Sequence, residues 1–117
     1  MLSELLILEK INDDQMITCV IKYIIDPDKV DEFEEYGKRW MPLVEKFGGV
    51  HLGYFLPHEG ANNVAYALFN FTSLSAYENY RQESLKDVEC IQLYEFAKQA
   101  KCIVSYERSF LKPMVTV

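Results

Sequence analysis

The sequence predicts an α+β domain whose elements run β-α-β-β-α-β. The prediction rests on a mid-chain hairpin of apolar runs, on helical spacing before and after it, and on cap residues where each helix starts. That order is the split-βαβ topology, in which right-handed crossovers place both helices on the same face of one antiparallel sheet. At 117 residues the chain is one domain, and a chain of that length buries roughly two-thirds of its unfolded surface.

Met16–Ile25 (MITCVIKYII) is the first strand, dense in β-branched residues and apolar on both sides apart from Thr18 and Lys22, as a central strand should be. Asp26 then caps a helix with Pro27 in its first turn, where a missing N–H costs nothing. Val30, Phe33, Gly37, Trp40, Val44 and Phe47 recur at three and four and make its inner stripe. Pro42 removes a donor and crowds the carbonyl of Lys38, which predicts a kink, and Gly48-Gly49 ends the helix.

Val50–Pro57 and Val64–Thr72 form the hairpin, joined by the Gly- and Asn-containing loop His58–Asn63. Strict alternation puts Val50, Leu52, Tyr54 and Leu56 on one side of the first hairpin strand and His51, Gly53, Phe55 and Pro57 on the other. Both sides are greasy. A sheet with one wet face would read apolar-in and polar-out, so each face needs a cover. Thr72 or Ser73 caps the next helix, with Leu74, Tyr77 and Tyr80 or Arg81 inward. The pattern breaks near Ser84–Asp87, and Asp87 starts a further segment with Cys90 or Ile91, Tyr94 and Ala97 inward. Cys102–Leu111 is the last strand, an edge with one face wetter than the other, and Pro113 ends its pairing.

Gly53–Gly60 (GYFLPHEG), followed by Tyr66–Arg81 (YALFNFTSLSAYENYR), resembles the NIPSNAP family. The likeness takes in Met16-Ile17-Thr18-Cys19 and Glu107-Arg108-Ser109-Phe110-Leu111, and so spans most of the chain. It implies a ferredoxin-like domain over residues 16–113 that pairs as a dimeric α/β barrel. Residues 1–15 match nothing in the family and are read as an N-terminal extension.

That extension carries Leu2, Leu5, Leu6, Ile7, Leu8 and Ile11, a run too short to span a membrane. It lacks the cationic leader of a signal peptide and the arginines of a mitochondrial transit peptide. Either it is a short amphipathic helix that docks on the domain or a partner, or Met16 is the natural start.

A net charge of -6 and the lack of a basic stripe argue against a nucleic-acid partner. Cys19, Cys90 and Cys102 are odd in number, far apart and without CxxC spacing, so they read as small buried hydrophobes in a reducing, cytoplasmic setting and not as metal ligands or a disulfide framework. No nucleophile elbow, phosphate-binding loop, dinucleotide fingerprint, zinc pattern or EF-hand is present. What is left is cofactor-free chemistry or simple binding.

Pairing the hairpin about its loop sets Phe55 opposite Tyr66, Gly53 opposite Leu68 and His51 opposite Asn70. A His/Asn pair then stands on an apolar surface beside the gap at Gly53, walled by Phe55 and Tyr66. His51 and Asn70 are therefore the candidate catalytic pair, with Trp40, Phe55 and Tyr66 as candidate ligand contacts, because an apolar pocket with a few convergent polar groups is the usual small-molecule site. The competing reading makes His51 a satisfied interior histidine, Gly53 a space for Trp40, and Tyr36, Tyr77, Tyr80 and Tyr94 packing residues and not a substrate cage. His58, Glu59 and Asn62 stabilise the loop. Glu107 and Arg108 face opposite ways and cannot form one clamp.

Two functions follow. In one, a homodimer holds a small apolar organic ligand between sheet and helices and acts on it, if at all, without cofactor or metal. In the other, the dimer is a non-catalytic protein-interaction or assembly module that uses its acidic exterior or residues 1–15. The dimer itself is predicted because helices cover one sheet face only, and a second copy is the simplest cover for the other.

Overall fold

The computed structural model describes residues 16–114, so the extension over residues 1–15 lies outside the described part. Strands β1 (Ile17–Ile25), β2 (Val50–Phe55), β3 (Val64–Phe71) and β4 (Ile103–Leu111) make one sheet in the order β2-β3-β1-β4. Every neighbouring pair is antiparallel. Helices α1 (Val30–Lys46), α2 (Leu74–Ser84) and α3 (Val88–Ala100) complete the ferredoxin-like α+β fold. Among the described residues no helix is long and apolar enough to cross a membrane.

The helix ends follow the expected chemistry. Asp26 accepts a hydrogen bond from the Asp28 backbone N–H at 2.9 Å and starts a single 3-10 turn, Pro27–Lys29, that leads into α1. Pro42 lies inside α1 without ending it, on the exposed side, where water can reach the carbonyl that the proline leaves free. Ser73 caps α2 through its Oγ, which accepts from the Ala76 N–H at 3.0 Å, and Asp87 caps α3 by accepting from the Cys90 N–H at 3.1 Å. The break before Asp87 thus divides the second helical region in two, as its sequence pattern indicates. Lys46 reaches across to the Asp87 carboxylate and Lys29 donates to the Ala100 carbonyl at 2.7 Å, which ties both ends of α3 to the α1 region.

Burial divides the sheet into an inner and an outer face. Cys19, Ile21, Tyr23 and Ile25 of β1 and Ala65, Ala67, Phe69 and Phe71 of β3 are buried under the helices. Phe33, Trp40 and Val44 of the expected α1 stripe are buried there too, joined by Tyr36 and Leu43. One helix assignment changes, since Leu74 points outward; of Cys90 and Ile91 it is Cys90 that is buried, and Leu93 is buried beside it. Aromatic edges and faces fill much of this layer, with Tyr23 against Phe33 at 4.9 Å and Phe71 stacked on Tyr80 at 5.1 Å between ring centres.

The alternation expected for β2 fails at one point. The register pairs Phe55 with Tyr66 and Gly53 with Leu68, as the hairpin predicts, but then slips by one residue, so that His51 faces Phe69 and Val50 faces Asn70. A bulge at Leu52-Gly53 absorbs the extra residue. It reverses which side each earlier β2 residue sees, and His51 and Tyr54 come to share the inner face. Gly53 has φ +126, a conformation that side-chain-bearing residues rarely adopt. A Cβ there would meet nothing closer than the Phe55 ring at 3.9 Å, so the backbone and not the space demands glycine.

Gly53→Ala should therefore lower stability by about 1–3 kcal/mol through backbone strain alone. Urea unfolding checks this, and an unchanged midpoint would contradict the bulge.

Candidate cavity between the sheet and the helices

The inner face is not filled to the rim. Between it and the helices lies a cavity of about 300 Å³, reached by side chains from every strand and every helix. Its floor is Ile21 and Tyr23 from β1, Phe69 from β3 and Tyr54 from β2; its roof includes Tyr36 and Trp40 from α1 and Tyr80 from α2. Every tyrosine of the chain except Tyr66 lines it. The spacing that put Tyr36, Tyr77, Tyr80 and Tyr94 on inner helix faces is right, but periodicity does not say whether the rings close on one another. Here they leave a space.

The wall is mainly aromatic. Trp40 is 4% exposed and lies 5.2 Å from Tyr94 and 6.4 Å from Tyr80, centre to centre, in edge-to-face contact with both. Burial pushes the Tyr36 and Tyr77 phenols up to about 12 and raises Tyr23, Tyr54 and Tyr80 as well. These hydroxyls are therefore neutral near pH 7. They can donate and accept hydrogen bonds but supply no phenolate.

The charged residues of the wall are cations. Arg81 of α2, Lys98 of α3 and Arg108 of β4 belong to the lining, and no Asp or Glu does. Arg108 faces inward because β4 pairs it with Ile21, whereas its neighbour Glu107 pairs with Lys22 and faces outward. The expectation that Glu107 and Arg108 act on opposite faces holds. The place of Arg81, Lys98 and Arg108 at a cavity is not visible in the sequence.

The candidate pair His51 and Asn70 does not form. The bulge turns His51 to the inner face, where its ring stacks on Tyr54 at 4.9 Å and lies 5.5 Å from Phe69. Its Nδ1 accepts the Gly53 N–H at 2.9 Å, which fixes the bulge, and its Nε2 is buried without a partner. Asn70 stays on the outer face, where its Oδ1 accepts the Thr18 hydroxyl at 2.6 Å. His51 is absent from the cavity lining, with Tyr54 and Phe69 standing on the lining side. Of the proposed ligand contacts Trp40 lines the cavity, while Phe55 and Tyr66 pair with each other on the outer face, 54% and 38% exposed. Gly53 does not make room for Trp40, whose ring contacts are with the helices.

The cysteines behave as the sequence suggests. All are free and buried, and burial pushes Cys19 and Cys90 up to about 11, so they remain thiols. Among the described residues no cluster of metal-ligating side chains occurs.

With this geometry established, comparison with known proteins fixes the relationship. The NIPSNAP family profile matches residues 18–116. The chain belongs to the NIPSNAP family. Its fold is shared by a NIPSNAP family protein of unknown function from Agrobacterium tumefaciens, with TM-score 0.74, 17% identity, and 86% of this chain and 89% of that one covered. A NIPSNAP-like domain protein from Burkholderia xenovorans superposes with TM-score 0.71 at 22% identity, covering 86% and 87%. Beyond the NIPSNAP proteins, SnoaB, a cofactor-independent oxygenase from Streptomyces nogalater, has TM-score 0.62 at 14% identity, covering 88% of this chain and 97% of its own. No curated protein matches the chain in sequence.

Desolvation lowers His51 to about 4. The unfolded chain, with an ordinary histidine near 6.5, then takes up a proton that the folded chain refuses between those values. The stability owed to neutral His51 is complete above pH 6.5 and is lost as pH falls toward 4. An NMR titration should find the His51 ring neutral at about pH 5.5, and a midpoint near 6.5, the ordinary value, would place it in water.

Proposed function

We propose that this NIPSNAP domain binds a small, largely apolar organic molecule in the cavity between its sheet and helices. The observation that carries the reading is the cavity itself. A space of about 300 Å³ walled by aromatic rings with a few polar ends sits at the lower end of the roughly 300–1,000 Å³ typical of ligand sites. A packing defect would more often be small and lined by aliphatic groups. SnoaB, by fold analogy only, is a cofactor-independent oxygenase on the same framework. In this chain the reading is of binding, with His51 serving the bulge.

A homodimer belongs to the same proposal. The outer face presents Val50, Phe55 and Leu111 more than half exposed, with Tyr66 and Leu68 beside them. A second copy of that face is its simplest cover, because identical apolar patches meet across a two-fold axis. The alternative, a non-catalytic assembly module, draws on the same outer face and would leave the cavity empty.

Two experiments test these points. Neutral bicyclic aromatics such as 2-naphthol should quench the fluorescence of Trp40, the chain's one tryptophan. Ala97→Phe, which fills the cavity from α3, should weaken that binding at least about tenfold; equal binding by the variant would place the ligand elsewhere. In sedimentation, the protein should run as a dimer and the double variant Phe55→Lys/Leu68→Lys as a folded monomer. A wild-type monomer would end the dimer proposal.

A further inference from the structure

The cavity's charge does not match the chain's. The protein carries a net charge of -6, yet among the described residues the cavity wall holds Arg81, Lys98 and Arg108 and no Asp or Glu. Among the described residues no carboxylate lies within salt-bridge distance of any of these cations.

Arg108 is the most telling of them. Its guanidinium lies 5.4 Å from the Tyr106 ring centre, a contact that steadies the group without neutralising it. Its Nε is buried with no hydrogen-bond partner, whereas the Trp40 Nε1–H has the Tyr36 hydroxyl beside it. Buried donors nearly always have an acceptor, and one left without it is strongly disfavoured, more so when charged. A charged donor without an acceptor at the wall of a largely apolar cavity suits an acceptor-bearing occupant.

We propose that the ligand is a planar organic acid whose carboxylate is taken by Arg108, with its apolar body between Trp40 and the tyrosine rings. This rests on the cavity being a ligand site and specifies what the site selects. A guanidinium matches a carboxylate two bonds at a time. Arg81 and Arg108 are both half-buried and Lys98 is exposed, and of the three Arg108 is the one with a buried donor atom left without a partner. Ring faces on both sides favour a flat body over a bulky one.

The test compares 2-naphthoate with its neutral counterpart 2-naphthamide by isothermal titration calorimetry. Wild-type protein should bind the acid about tenfold to a hundredfold more tightly than the amide, the range of a charge-assisted bond. Arg108→Gln should remove that preference by weakening the acid at least about tenfold more than the amide, and Arg108→Lys should keep part of it. Equal binding of the two compounds by the wild type would overturn the acid assignment while leaving the cavity as a ligand site. The acid assignment also falls if Arg108→Gln weakens both compounds alike. Binding of neither compound would overturn both proposals. The wild-type comparison decides even if Arg108→Gln does not fold.

Discussion

The contact between Tyr54 and Gly37 sets the spacing of the two layers. A Cβ on Gly37 would stand 3.0 Å from the Tyr54 ring, so only a glycine in α1 lets the helix come down on that phenol. Tyr54 faces α1 because it pairs with Ala67 in the inner row of β3, and the bulge at Leu52-Gly53, held by the hydrogen bond from the Gly53 N–H to His51, turns the His51 ring to the same face, where it stacks on Tyr54. With α1 seated there, Phe33 packs edge-on against the Tyr54 ring at 5.8 Å and Trp40 is carried over the middle of the sheet. The small Ala65 and Ala67, both fully buried in β3, keep the floor low in this region. Close approach at one end and large rings on the other side leave the cavity between them.

The two faces of the sheet are both apolar for different physical reasons. The inner face meets helices whose aromatic residues are too large and rigid to interlock completely, and the remaining space is edged by hydroxyls, an indole N–H and cations. On the outer face Val50 and Leu111 flank the Thr18–Asn70 hydrogen bond as register partners of Asn70 and Thr18. That bond satisfies two polar groups sideways, within the face, and so suits a surface that another apolar surface can cover. The negative residues are kept off the cavity: Glu107 is turned outward by the pleat, and the acids of α1 lie outside the lining.

Much of this architecture is legible in the residues. Asp26, Ser73 and Asp87 mark helix starts because short oxygen-bearing side chains reach backbone N–H groups there. The α1 stripe and the Phe55–Tyr66 pairing follow from periodicity and loop length. The facing of His51 does not, because β2 is apolar on both sides and a one-residue slip changes no hydropathy pattern that could reveal it. The available signal was Gly53, since a glycine inside a strand often marks a bulge or a close approach. Reading it as a gap in a side-chain row put His51 beside Asn70 and made Phe55 and Tyr66 the walls of a site. The cavity was hidden for another reason: helical spacing shows which tyrosines turn inward but not how far apart their rings come to rest. Arg108 needed the β1–β4 register before its inward direction meant anything.

The central claim is that the space between sheet and helices is a built site, and a crystal structure grown with 2-naphthoate tests it most directly. The naphthyl rings should lie between Trp40 and the tyrosines of the sheet, with the carboxylate on Arg108 and the β2 bulge intact. Rings of Trp40, Tyr80 and Tyr94 drawn together over a closed floor, with no ligand between the layers, would contradict it.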